Sequence, residues 1–128
     1  MVACGDTFLS GDDEYEDYHL NVVLTPPNDG EVITVSITTL RKLSEKLVTL
    51  QPVDHPFITR PSVVAYSYTR IRKVIDIEAA LEAGNATARE PVTQALLGKI
   101  RSGLLESDRV EHGVKQLYRF IMGRAEEA

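Results

Sequence analysis

Val32-Ile33-Thr34-Val35-Ser36-Ile37-Thr38-Thr39-Leu40 is the stretch from which the rest of the chain is read. Its β-branched residues favour extended backbone. Alternation puts Ile33, Val35 and Ile37 on one face and Val32, Thr34, Ser36 and Thr38 on the other. The first set reads as core, and the second points small polar groups at whatever covers the opposite face. Upstream, Pro26-Pro27-Asn28-Asp29-Gly30 supplies a tight turn, and His19–Thr25 (HLNVVLT) reads as a partner strand. Further out, Thr7–Ser10 (TFLS) is a first strand, and Gly11–Tyr18 (GDDEYEDY) is an acidic surface loop. On the other side, Leu47–Leu50 (LVTL) is a strand broken by Gln51-Pro52. Pro56 and Pro61 exclude a helix in the segment that follows. Ser62–Arg70 is then a strand with Val64, Tyr66, Tyr68 and Arg70 on one face, and Lys73–Ile75 continues the sheet.

Beyond residue 75 the pattern becomes helical. Asp76 is the expected N-cap of a helix through Ala83, with Gly84 as its C′ residue. Thr93 caps a second helix, where Val92 and Leu97 have hydrophobic-staple spacing and Leu96, Leu97, Ile100 and Leu104 share a face. Asp108 and Glu111 are spaced like a capping box for a last helix. Its stripe is Val110, Val114, Leu117 and Ile121, and Gly123 ends it. Strands followed by helices predict an α+β domain on a small antiparallel sheet or barrel. A single domain is expected over 1–128, with the barrel at about 5–75 and the helical part at about 76–124.

Composition narrows the function classes. The chain of 128 residues is 43% hydrophobic and 26% charged, the make-up of an ordinary globular protein. One cysteine, Cys4, excludes an internal disulfide and a cysteine-based zinc cluster. No apolar run reaches the roughly 20 residues of a membrane span, and the start lacks a signal-peptide pattern. A cytoplasmic protein with no membrane partner is the expectation. The net charge of −5 hides an asymmetry. Asp6, Asp12, Asp13, Glu14, Glu16 and Asp17 make the start acidic. Arg41, Lys42, Lys46, Arg60, Arg70, Arg72 and Lys73 make the middle basic. Such asymmetry fits either a local anionic partner or a solvated face whose charges balance in three dimensions.

The chain has no Walker loop, GxGxxG, GxSxG or HExxH. Three dispersed histidines are a poor metal set, and Asp12–Asp17 lacks the glycine and closing glutamate of a calcium loop, so no metal or cofactor is expected. What remains suits phosphodiesters: His19, Thr38, Thr39, Arg41, His55, Tyr66, Tyr68 and Arg70. Arginine offers a planar fork to phosphate, histidine exchanges protons near neutrality, hydroxyls hold phosphate oxygens, and tyrosine gives a face for base stacking. Each also has a structural reading. Tyr66 and Tyr68 can pack across a sheet, and Asp54-His55-Pro56-Phe57 can be a turn in which Asp54 accepts backbone bonds and Phe57 fills the core.

The layout resembles the PemK/MazF-type plasmid-maintenance and growth-inhibitor toxins. Gly5-Asp6 leads into a first strand and a polar loop, then HLNVVLT, then VITVSITTL ending on paired threonines, and later Glu90-Pro91-Val92-Thr93 introduces a helix. The chain is most similar to bacterial PemK-like proteins of unassigned function, through Thr38-Thr39-Leu40-Arg41, Asp54-His55-Pro56-Phe57 and Ser62-Val63-Val64 with Tyr66. The resemblance covers roughly Gly5 to Leu104; the last helix lies outside it. It implies a small SH3-like antiparallel β-barrel (PemK/CcdB-like) with C-terminal helices, a homodimer, an antitoxin partner, and metal-independent cleavage of single-stranded RNA through its 2′-hydroxyl. Thr38 matches the family threonine. The family's arginine at the start of the preceding strand is replaced by His19, followed by Leu20 where proline is frequent. The implied catalytic set is His19, Thr38, Arg41 and His55, with Thr39, Tyr66, Tyr68 and Arg70 binding RNA. The alternative is a non-catalytic RNA- or protein-binding module on the same scaffold, as in gyrase-poisoning relatives; a structural or regulatory role is a third reading.

Overall fold

The computed structural model describes residues 2–12 and 17–127. Asp13–Glu16, the centre of the expected acidic loop, lies outside them. The fold is α+β: a curled sheet of six antiparallel strands with three helices. The strands are β1 (Thr7–Asp12), β2 (Asp17–Val23), β3 (Glu31–Thr39), β4 (Thr49–Leu50), β5 (Ser62–Lys73) and β6 (Ala86–Arg89), in the order β4-β5-β3-β2-β1-β6. The helices are α1 (Val74–Ala83), α2 (Gln94–Glu106) and α3 (His112–Glu127).

The β2–β3 connection forms as its residues dictate. Asp29 and Gly30 both have positive φ, 51° and 77°, the signature of a type I′ turn. Asn28 and Glu31 close it with reciprocal backbone bonds of 2.9 and 3.0 Å. β3 then lies between β2 and β5. Ile33, Val35 and Ile37 enter the main core with Leu20, Val22 and Leu24, against Leu96, Leu97, Ile100 and Leu104 of α2 and Tyr118 and Ile121 of α3. Each fully buried Leu or Ile stabilises the fold by roughly 1.5–3 kcal/mol relative to exposure. The opposite face of β3 is covered too. Val32 joins Val2, Phe8, Val23, Ile77 and Ala86 in a second core, with α1 packed on it. Between these, Ser36 donates to Asn21 Oδ1 at 3.1 Å, and Asn21 Nδ2 reaches Ser10 Oγ at 2.9 Å. The buried polar pair is therefore satisfied and ties β1, β2 and β3 together.

Several boundaries differ from the sequence reading. β1 and β2 extend to Asp12 and from Asp17, so the connecting segment is shorter than Gly11–Tyr18. Only Thr49 and Leu50 of the LVTL run pair, and Pro52–Asp54 forms a 3-10 turn in a region read as non-helical. The turn holds because Asp54 accepts from Gln51 N at 2.7 Å. β5 runs to Lys73, and α1 starts at Val74 with Asp76 inside its first turn, where a carboxylate favours the helix dipole. Gly84, at φ 81°, ends α1 as expected. β6 is an edge strand with no counterpart in the sequence pattern; it pairs with β1, and its Ala86 packs in the second core with Ile77 of α1.

Thr93 caps α2 by accepting from Leu96 N at 3.1 Å, and Val92 and Leu97 are both buried. α3 begins at His112 rather than Asp108. Ser107 is fully buried; its hydroxyl donates to the Glu45 carboxylate (2.8 and 2.9 Å) and accepts from Arg109 N (3.1 Å), which holds the segment before α3 as a turn. α3 also continues through Gly123, which lacks the positive φ of a terminating glycine. Its stripe is spent on the main core: Val110 and Ile121 are buried, and Val114 and Leu117 pack against it.

Candidate nucleic-acid interface

β5 is not a regular strand. Between the pairs Thr34–Arg70 and Ser36–Ala65, it carries Tyr66, Ser67, Tyr68 and Thr69 opposite the single residue Val35. This bulge is closed by Thr69 Oγ1 donating to Tyr66 O at 2.6 Å. It breaks the expected alternation and sends the two tyrosines apart. Tyr66 is 1% exposed and its hydroxyl donates to Ile100 O at 2.8 Å, whereas Tyr68 is 54% exposed. Burial, with Glu45 and Glu106 adding to it, pushes the Tyr66 phenol well above its ordinary range. Tyr66 is thus a core residue, not an RNA contact.

Register brings the other candidates together. Leu20 pairs with Ile37, so the residues that flank this pair, His19 and Thr38, meet at the same end of β2 and β3. Thr38 and Thr39 pair with Val63 and Ser62 of β5. His19 and Tyr68 stack with centroids 6.3 Å apart and planes 18° from parallel. Arg41 is held by a turn in which its N–H donates to Ser44 Oγ at 2.9 Å and Ser44 N donates back to its carbonyl at 3.2 Å. Together His19, Thr38, Thr39, Arg41 and Tyr68 line a cleft of about 590 Å³. Its walls also carry Arg60, Thr59, Ser44 and Ser62, over an apolar floor of Leu20, Ile37, Phe57 and Ile58. No acidic side chain of the described residues lines it.

His55 and Arg70 are not in this cleft. His55 is buried: Phe57 N donates to Nδ1 at 3.0 Å, which leaves the proton on Nε2, and Nε2 donates to Glu90 O at 2.6 Å. Both ring nitrogens are occupied by backbone, so His55 is structural rather than a proton-transfer group. Its role is to fix the loop that carries Phe57, Ile58, Thr59 and Arg60 to the cleft wall; Ile58 N also donates to His55 O at 3.0 Å. The turn reading of Asp54–Phe57 is the one that holds, with Phe57 against the main core. Arg70 lies outside, its guanidinium carbon 5.8 Å from the Tyr68 ring centroid and its Nη1 donating to Thr69 O at 2.9 Å. Arg72 donates from Nε to Thr34 Oγ1 at 3.1 Å; burial and the neighbouring Arg70 lower its pKa.

Arg60, one of several basic residues in the middle segment, also lines the cleft, although nothing in the local sequence distinguishes it from its basic neighbours. Its place in the fold does: it stands between the turn built by Asp54-His55-Pro56 and the start of β5, beside the paired threonines across the ladder. Chemically the cleft offers two guanidinium forks, five hydroxyl side chains counting Thr38, Thr39, Ser44, Thr59 and Ser62, one imidazole and one exposed aromatic face. That is an anion site with a stacking platform. Among the described residues no group of His, Cys, Asp and Glu could hold a metal ion, and no helix is long and apolar enough to cross a membrane. No protein-family model matches the chain, and no curated protein matches it in sequence.

Proposed function

We propose that the cleft binds a phosphodiester of single-stranded RNA and cleaves it without a metal, in the manner of the PemK/MazF-type toxins that the sequence resembles. The observation that carries this reading is the convergence of His19, Thr38, Thr39, Arg41 and Tyr68, from separate strands and a loop, on one cleft with Arg60 and no described acid. The curled antiparallel sheet with helices after it is compatible with an SH3-like barrel of that type. In the proposed reaction the 2′-oxygen attacks phosphorus, the bond to the 5′-oxygen breaks, and a 2′,3′-cyclic phosphate and a 5′-hydroxyl form. His19 exchanges one of the two protons and water the other. Arg41 and Arg60 stabilise the extra charge on the pentavalent species, the hydroxyls of Thr38 and Thr39 position its oxygens, and Tyr68 stacks a neighbouring base. A homodimer and a proteinaceous antitoxin belong to the same proposal, resting on the resemblance alone.

The test is cleavage of single-stranded RNA in EDTA. Wild type cuts; His19→Ala loses roughly 10²–10⁴-fold, the usual worth of a positioned proton-transfer group. Arg41→Ala, Arg60→Ala is inactive. A His19→Ala protein as fast as wild type sinks the assignment. One observation favours the second reading, a binding module without catalysis: with His55 locked in the interior, the described cleft has a single imidazole for a reaction that moves two protons. RNA that binds wild type but survives intact would establish it.

A further inference from the structure

The cleft does not end at Tyr68. It shares Thr38, Arg41, Ser44 and Tyr68 with a neighbouring hollow of about 250 Å³, and that hollow shares Ser67 and Arg109 with a third of about 270 Å³. The three hollows adjoin through these shared side chains, in a row from the cleft past the β5 bulge to the turn before α3. Arg41 and Arg60 stand at its start, Arg109 lines both outer hollows, and Arg70 lines the far one. Two carboxylates border it: Glu45, engaged by the Ser107 hydroxyl, and Glu111 at the far end. Arg109 is exposed, and among the described residues its side chain makes one long bond, 3.5 Å from Nη2 to Leu43 O. Most of its five donors are therefore available to a ligand.

We infer that Arg109, with Arg70 beyond it, forms a second phosphate subsite, so that the protein takes an extended single strand of several nucleotides rather than one isolated phosphate. The inference rests on the RNA reading above and adds a subsite from a segment outside the family resemblance. The geometry is that of an electrostatic track with an aromatic step: cations at both ends and the exposed Tyr68 face between them. A mononucleotide or a dinucleotide at the cleft reaches only the first part, and a longer strand reaches Arg109.

The experiment is fluorescence anisotropy with 2′-O-methyl oligonucleotides, which cannot be cleaved, of two and eight nucleotides, on wild type, Arg109→Ala and Arg41→Ala. Wild type should bind the longer strand more tightly. Arg109→Ala should lose about five- to tenfold in affinity for the longer strand and nothing for the shorter. Its salt dependence should flatten by roughly 0.7 per lost phosphate contact. Arg41→Ala should weaken both lengths. If Arg109→Ala binds both strands as wild type does while Arg41→Ala is impaired, the second subsite is wrong and the cleft reading stands. If wild type binds neither strand, both fall. Circular dichroism and thermal unfolding of Arg109→Ala check that the variant is folded, as its exposed position leads one to expect.

Discussion

Gly103→Ala is the substitution whose sign is most sharply fixed by the packing. In an ordinary helix, alanine for glycine stabilises by about 1 kcal/mol. At position 103 of α2 a Cβ would sit 2.8 Å from Tyr66 Cζ and 3.0 Å from Val48 Cγ2, with Tyr66 Oη nearer still. The ring cannot step aside cheaply, because Tyr66 is 1% exposed and its hydroxyl is bound to Ile100 O. Overpacking of this kind costs about 1–3 kcal/mol. If the ring shifts and the phenol loses its partner, a buried unsatisfied hydroxyl costs about 1–3 kcal/mol more. With the phenol unpaired, the helix-propensity gain offsets only part, so the net loss should be roughly 1–5 kcal/mol, a fall in Tm on the order of 10 °C. Gly98→Ala in the same helix is the control: it is exposed and nothing lies within 4 Å of its added Cβ, so it should gain about 0.5–1 kcal/mol. Urea unfolding of both variants, of Tyr66→Phe and of the double variant Gly103→Ala, Tyr66→Phe measures the pair and its coupling. Removing the hydroxyl should recover 1 kcal/mol or more, about the size of a direct coupling. Equal or greater stability of Gly103→Ala would refute the placement of Tyr66 beneath α2.

His55, Tyr66 and Tyr68 each give a further expectation. His55→Ala should cost roughly 1–3 kcal/mol in unfolding, since Phe57 N loses its acceptor in a partly buried site, while Thr7 Oγ1 still donates to Glu90 O at 2.8 Å; below its lowered Tm the pH profile of any RNA cleavage should keep the wild-type shape, and a changed profile would return His55 to the catalytic set. Stability should fall as pH rises above about 10, because the unfolded chain ionises Tyr66 there while the folded one, with its raised pKa, holds the proton; the contribution is whole below pH 10 and shrinks toward the folded value, and Tyr66→Phe should reduce that alkaline slope in urea titrations. Tyr68→Ala should leave stability within about 0.5 kcal/mol and weaken single-stranded RNA binding by roughly 1–3 kcal/mol, measured by anisotropy; unchanged affinity would remove the stacking platform.

Elements whose cause is local were legible in the chain. Asn28-Asp29-Gly30 makes its turn because positive φ is cheap for Gly and tolerable for Asp. Thr93 caps α2 with its own side chain, and the alternation of Val32–Thr38 puts Ile33, Val35 and Ile37 in the main core. The apolar stripe was legible as well: Val114, Leu117 and Ile121 of α3, with Val110 just before it, pack on the main core. The candidate site was legible in part: paired threonines at a strand end, Arg41 after them, and a histidine opening the neighbouring strand do converge.

The rest depends on partners remote in sequence. β6 is an Ala-Thr-Ala-Arg segment, exposed except for Ala86, with little strand character of its own; pairing with β1 makes it a strand. Asp108 looks like a cap, but Ser107 binds Glu45, 62 residues away, and delays α3 to His112. Tyr66 and Tyr68 share a face in any regular strand, and only the bulge in β5 opposite Val35 sends one into the core and the other to the cleft. His55 carries the chemistry of a proton carrier in the sequence; bonds to Phe57 N and to Glu90 O, 35 residues on, make it a strut. By itself the sequence determined what short-range sterics, periodicity and capping can determine: most strands, the helices, and which residue types are available for chemistry. The tertiary structure decided which of those residues share a cleft, because that depends on register, bulges and long-range hydrogen bonds, none of which has a local signature.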